Sequence, residues 1–235
     1  MSNIPYTLIP DVDLPAPLGL IALQTDETLE PDFKRSFADH PSPIYVSRIP
    51  SGAEVTTESL SGMEDHITAS ADLLPKTLYY PVVGYGCTSA SSIIGSERVE
   101  QLVQKSCNAG AVTNPLRAAI AFAHHKGISK LALLSPYIEE VNVPLRSAFQ
   151  AAGLSTDVFG TFGEAQEAKV ARITNDSVVA AAISLGSDNS VEGVFLSCTN
   201  LKTLDAIPII QKMINKPVFS SNYALAWHMK RLIGQ

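Results

Sequence analysis

Apolar residues in this chain recur in two rhythms. Short uninterrupted runs at 19–23, 44–49, 78–84, 130–134, 156–159, 193–196 and 218–220 have the length and composition of buried strands. Longer segments at 55–74, 92–107, 115–125, 139–152, 176–185, 204–214 and 223–233 space their apolar positions three and four apart, as amphipathic helices do. Strands alternating with helices predict βαβ units, a mostly parallel sheet and an α/β fold. The stretch 160–173 fits neither rhythm. Ahead of the first run, residues 1–17 carry Pro5, Pro10, Pro15 and Pro17 and read as an extended arm.

The pattern also repeats once over a long period. The strand-like run 81–86 leads into Cys87-Thr88-Ser89 and a helix, and the run 193–197 leads into Cys198-Thr199-Asn200 and another helix. The two cysteines are 198 − 87 = 111 positions apart, close to half the chain. Two similar α/β lobes follow, each presenting a cysteine at the carboxyl end of a strand, where open α/β sheets bind ligands. The expected division is a first lobe of 18–113 joined by a returning strand and helix at 217–235, and a second lobe of 114–216.

Composition narrows the functional classes. Of 235 residues, 46% are hydrophobic and 17% charged, too apolar for a disordered chain. The net charge is 17 − 23 = −6 with no Lys/Arg cluster, which argues against nucleic acid or an anionic membrane as partner. No apolar run approaches the roughly 20 residues of a membrane span. The acidic, proline-broken opening is the reverse of an export signal. Three widely spaced cysteines make no disulfide framework, so a reducing cytoplasm is the expected location.

A cysteine at a strand-to-helix turn lies beside the unpaired N–H groups of the helix start, which is expected to lower its pKa toward thiolate. The Thr, Ser and Asn that follow are cap residues whose hydroxyl and amide groups can grip a carboxylate. Facing each other across a cleft, Cys87 and Cys198 would serve as acid/base or nucleophilic thiols on opposite faces of a small carboxylate substrate. The plainer alternative is two small core residues. Cys107, late in a helix, has no such context and reads as structural.

Gly84-Tyr-Gly-Cys87-Thr88-Ser89-Ala90 and Phe195-Leu-Ser-Cys198-Thr199-Asn200-Leu, followed by Thr203-Leu-Asp205, resemble the aspartate/glutamate racemase superfamily. Within it they look like the maleate cis-trans isomerase and arylmalonate decarboxylase branch. The opening Gly19-Leu-Ile-Ala-Leu-Gln24-Thr25-Asp26-Glu27-Thr28 is similar to the ectoine-utilisation proteins of that branch, which are maleate-isomerase-like. The resemblance implies two flavodoxin-like lobes related by a pseudo-two-fold axis, an active site in the cleft between them, and chemistry without a cofactor. It makes Thr88, Ser89, Tyr137 and Thr199 substrate-binding candidates, with Gln24 and Asp26 from the loop after the first strand. The decarboxylases carry glycine at the first cysteine, whereas this chain carries Cys87.

One position departs from that pattern. The maleate isomerases have an asparagine where this chain has Asp26, and a carboxylate facing a dicarboxylate would repel it. Asp26 either selects a less anionic or amine-bearing substrate or caps the helix that starts near Thr28. Other motifs are ordinary. Gly84-x-Gly86 lacks the third glycine of a dinucleotide fingerprint. There is no Walker motif, metal-ligand spacing or serine-hydrolase elbow. His124-His125 close a helix, and Asn114-Pro115 start one. The sequence reads as a cytoplasmic, cofactor-independent isomerase or racemase of a small carboxylate, and a homo-oligomer is compatible with it. An arylmalonate-type decarboxylase and a non-catalytic carboxylate-binding protein are the alternatives.

Overall fold

The apolar runs of the first half enter one sheet and those of the second half another. The computed structural model describes residues 3–235. In chain order the elements are β1 (Leu18–Leu23), α1 (Leu29–Ser36), β2 (Ile44–Ile49), α2 (Thr57–Gly62), α3 (Glu64–Ala71), β3 (Tyr80–Tyr85), α4 (Thr88–Ile94), α5 (Ser96–Gln104), β4 (Ala109–Thr113) and α6 (Pro115–His125). They continue with β5 (Lys130–Ser135), α7 (Glu139–Ala151), β6 (Ser155–Thr161), α8 (Glu167–Val170), α9 (Asn175–Gly186), β7 (Gly193–Leu196), α10 (Ala206–Ile214), β8 (Val218–Ser220) and α11 (Ser221–Leu232).

Both sheets are parallel and four-stranded, ordered β2-β1-β3-β4 and β6-β5-β7-β8. The two orders are the same path walked twice, as the internal echo predicts. Central strands are buried on both faces, so they read as continuous apolar runs. Alternate residues still sort to different layers. Leu18, Leu20, Ala22 and Val82 pack against α1 and α11, while Ile21, Leu23, Val83 and Tyr85 face a core that continues across both lobes. In the second lobe Leu131, Leu133, Phe195 and Phe219 pack under α6 and α7, and Ala132, Leu134 and Val194 face the shared core. Each such buried side chain contributes about 1.5–3 kcal/mol relative to exposure.

Residues 217–235, expected to return to the first lobe, divide between the two sheets. β8 pairs with β7 in the second sheet, in the register Val194↔Val218 to Leu196↔Ser220. The turn between α10 and β8, with Asn215 left-handed at φ 54°, is too short to carry the strand to the other sheet. The helix does return: Leu225, Ala226 and Met229 of α11 sit on the first sheet with Leu18 and Val82. Its counterpart α6, after β4, crosses the other way to the second sheet. Each lobe is thus covered by the helix that follows the other lobe's last strand.

Two expected helices are divided. The segment 92–107 breaks at Gly95, whose φ of +93° favours glycine, and 55–74 splits into α2 and α3 at Met63. The ambiguous stretch 160–173 holds the end of β6 and the short α8.

Candidate active site

Close packing dictates the first turn. Gly86 N–H donates to Ile21 O at 2.8 Å, and a Cβ on Gly86 would come 2.3 Å from Leu29 Cδ2. Only a bare backbone fits there, which accounts for the second glycine without any nucleotide. Cys87 follows as the N-cap of α4, its Sγ accepting Ala90 N–H at 3.4 Å. In the second lobe Ser197 N–H donates to Leu134 O at 2.8 Å and holds the end of β7 in the sheet. Cys198 then adopts φ +87°, a left-handed conformation that costs a non-glycine residue of order 1–3 kcal/mol and marks functional turns. Asn200 N–H donates to its Sγ at 3.2 Å.

The two turns touch. Thr199 Oγ1 donates to Gly86 O at 3.3 Å, joining the residue after one cysteine to the residue before the other. Both thiols are free and nearly fully buried, Cys87 at 5% and Cys198 at 3% exposure. Burial governs their acidity. It pushes the Cys87 thiol up to about 12, against the pull of the Ala90 and Ser89 amides and with the added repulsion of Glu167 and Asp26. Burial and then Glu167 hold Cys198 well above the usual thiol range. The expected helix-start setting is found at Cys87, the N-cap of α4, and not at Cys198, which lies eight residues before α10 begins at Ala206; burial pushes both thiols up.

Tyr137 lies where the motif placed it, its hydroxyl 2.9 Å from Cys198 Sγ. The same hydroxyl donates to Glu167 Oε1 at 2.6 Å, and Glu167 Oε2 accepts Asn200 Nδ2 at 2.8 Å. Glu167 is buried. Asp26 serves as the cap that was one of its two expected roles. Its Oδ1 accepts Thr28 N–H and Leu29 N–H at 2.8 and 2.7 Å, capping α1, while Oδ2 is buried with no hydrogen-bond partner. Burial pushes its carboxyl up, against the pull of the Leu29 and Thr28 amides and of Arg48. Ser89 Oγ is likewise buried and unpartnered, and Thr88 Oγ1 pairs with Ser221 Oγ at 2.8 Å.

Gln24 does not join them. Its backbone amide extends the β1 pairing to Ile49 O at 2.9 Å, and the residue is exposed. Residues the motif reading passed over take structural places around the pair. Asn200 bridges the lobes, with Oδ1 accepting Glu27 N–H at 2.8 Å and its carbonyl accepting Thr28 Oγ1 at 2.9 Å. Asn222 Nδ2 donates to Thr199 O and to Asp32 Oδ2, both at 2.8 Å. Burial pushes the Asp32 carboxyl up to about 6. Asn200 stood inside the quoted motif. Glu167 lay in the unreadable stretch, Asp32 carried no local signal, and Asn222 follows the end of β8.

A strap closes the site. Glu54 and Gln166 form an antiparallel bridge between the lobes, with Val55 N–H donating to Ala165 O at 2.8 Å and Glu167 N–H to Ala53 O at 3.1 Å. Ion pairs Arg35–Asp205 at 2.6 Å and Arg172–Glu27 at 2.8 Å also cross between the halves. Among the described residues no group of three or more His, Cys, Asp or Glu is placed to hold a metal ion, and no helix is long and apolar enough to cross a membrane.

Residues 50–235 match the family model for arylmalonate decarboxylase. The chain belongs to that family. A stretch of 125 residues is 31% identical to the arylmalonate decarboxylase of Bordetella bronchiseptica, covering 53% of this chain and 49% of that protein. Solved folds agree over nearly the whole length. The maleate isomerase Iso of Pseudomonas putida S16 superposes with a TM-score of 0.83 at 19% identity, over 93% of this chain and 92% of its own. The Nocardia farcinica maleate cis-trans isomerase, in a cysteine-to-serine variant with a covalently bound succinylcysteine intermediate, gives 0.81 at 22% identity over 93% and 92%. A liganded double variant of arylmalonate decarboxylase gives 0.81 at 24%, over 93% of each chain. The two-lobed α/β fold is that of these enzymes.

Proposed function

We propose that this member of the arylmalonate decarboxylase family is a cofactor-independent isomerase or racemase of a small carboxylate, with Cys87 and Cys198 as its reacting thiols. The observation that carries the reading is the contact between the two cysteine turns, Thr199 Oγ1 on Gly86 O at 3.3 Å. One thiol comes from each lobe, so a substrate held between them meets a sulfur on either face. For a racemase, one thiolate takes the α-proton and the opposite thiol returns one, leaving a thiol and a thiolate in exchanged places. For a cis-trans isomerase, one thiolate adds to the double bond, the resulting single bond rotates, and elimination regenerates the thiolate. The unpartnered Ser89 Oγ, with the Thr88 and Thr199 hydroxyls, would hold the carboxylate.

The acids around the pair speak to the remainder of the substrate. Asp26 and Glu167 are both buried beside the thiols. Two unit negative charges about 4–5 Å apart repel by roughly 3–4 kcal/mol at an effective dielectric near 20. An ammonium or amidine group suits this surrounding better than a second carboxylate. The family name favours a second reading, decarboxylation of an arylmalonate, for which one cysteine would suffice. Proton NMR in D2O with maleate, aspartate, hydantoins, diaminobutyrate derivatives and phenylmalonate tests both. Isomerisation, or deuterium entering the α-position of a racemised acid, supports the proposal. Loss of CO2 from phenylmalonate alone supports the decarboxylase. Binding of these acids without turnover would make the protein a non-catalytic carboxylate binder.

A further inference from the structure

No helix start lies beside Cys198, since α10 begins eight residues later at Ala206, and burial pushes its thiol up. Its proton needs an acceptor. Three groups stand in line: Cys198 Sγ, Tyr137 Oη at 2.9 Å and Glu167 Oε1 at 2.6 Å. Proton counting gives the line a direction. Tyr137 has one hydroxyl proton and donates it to Glu167, whose other oxygen accepts Asn200 Nδ2 at 2.8 Å. Accepting at both oxygens is the pattern of an acceptor-only, ionised carboxylate, and the relay takes Glu167 in that form. With the tyrosine proton so committed, the 2.9 Å contact is the cysteine's S–H donating to Tyr137 Oη.

We propose that Glu167 is the positioning base for Cys198 and acts through Tyr137. The S–H proton passes to Tyr137 Oη as the tyrosine's own proton passes to Glu167 Oε1. A thiolate, a neutral tyrosine and a neutral carboxylic acid result, with one negative charge before and after. Conserving charge matters here because Asp26 from the β1–α1 loop and Cys87 from the β3–α4 turn face the same volume. Burial, with Asp26 nearby, also makes Glu167 a stronger base than a solvated glutamate. Its placement depends on the strap, because Glu167 N–H donates to Ala53 O of the other lobe. The inference rests on the reading of Cys198 as a reacting thiol, yet it can be tested without any substrate.

In a Cys87→Ser/Cys107→Ser background Cys198 is the lone thiol. Its rate of modification by methyl methanethiosulfonate, a small neutral reagent, is measured from pH 6 to 10. Glu167→Gln keeps the size and can still accept from Tyr137, but it cannot take the proton. The rate near pH 7 should fall by about tenfold or more, and the rise with pH should move to higher pH. Tyr137→Phe, which breaks the line while leaving the carboxylate, should give the same loss. If Glu167 were merely a negative neighbour, removing it would make the thiol more acidic and the rate would climb. A higher or unchanged rate in Glu167→Gln, with circular dichroism like the parent's, overturns the relay. The predicted fall in a protein that turns over no tested acid would overturn the proposed function and leave the relay standing.

Discussion

Cys198 holds a left-handed backbone that glycine would adopt more easily, and its side chain is the reason to keep it there. A strained turn aims the sulfur at Tyr137, and the strain is held by Ser197 and Asn200 on either side. Asp26 illustrates how one carboxylate can do two things, since one oxygen caps α1 and the other is left unbonded next to the thiols. Asp26→Asn keeps the cap acceptor and removes the charge. Its kcat/KM for maleate-like diacids should rise by about 100-fold or more, and that for amine-bearing acids should fall, the equivalent of the 3–4 kcal/mol above. If neither moves, Asp26 is a cap alone. Asp32 gives a separate, pH-dependent prediction. Its folded pKa of about 6 lies above its unfolded value of 3.8, so its contribution is fully present below pH 3.8 and is lost as pH rises through 6. Asp32→Asn should remove that decline, at most about 3 kcal/mol between pH 4 and 7, in urea unfolding compared with the parent. An equal decline in both proteins would place its origin elsewhere. At this scale the sequence was readable where chemistry is local. Cys87, Cys198, Thr88, Ser89 and Asp26 follow strand ends directly, as Asn222 also does after β8, whereas Glu167 and Asp32 reach the site by tertiary packing and leave no trace in their neighbours.

Elements with a continuous apolar run were legible, the edge strands β2, β6 and β8 among them, and those without one were not. β4, Ala-Gly-Ala-Val-Thr, is an edge strand with small residues and escaped the pattern, as did α1, whose inward face is little more than Leu29 and Phe33. The strap was invisible for a related reason: it is a single bridge between loops 51–56 and 162–167 that share no pattern. It nevertheless carries Glu167, the partner of Tyr137, and its parting for substrate can be tested. Glu54 and Gln166 are an exposed, non-hydrogen-bonded antiparallel pair, for which the Cα separation is about 4.5 Å, within disulfide reach. A Glu54→Cys/Gln166→Cys variant should turn over normally when reduced and lose about tenfold or more when oxidised, with dithiothreitol restoring it. Full activity in the oxidised form would mean that substrate enters elsewhere.

Across the whole molecule the internal echo of Cys87 and Cys198 anticipated two lobes with the same strand order. It could not anticipate the exchange of covering helices, because α6 and α11 are amphipathic in either assignment and only contacts far along the chain decide which sheet they cover. That exchange ties the lobes together, as do the paired turns and the strap. The direct measurement is turnover by Cys87→Ser and Cys198→Ser on the acid that the parent protein isomerises or racemises, followed by NMR in D2O, with Cys107→Ser as the control buried thiol. Each of the first two should lose more than about 100-fold, because an alcohol is a far weaker acid than a thiol, while the control keeps its rate. Near-normal turnover by Cys87→Ser, with Cys198→Ser inactive, would contradict the two-thiol account and leave a single-cysteine reaction in its place.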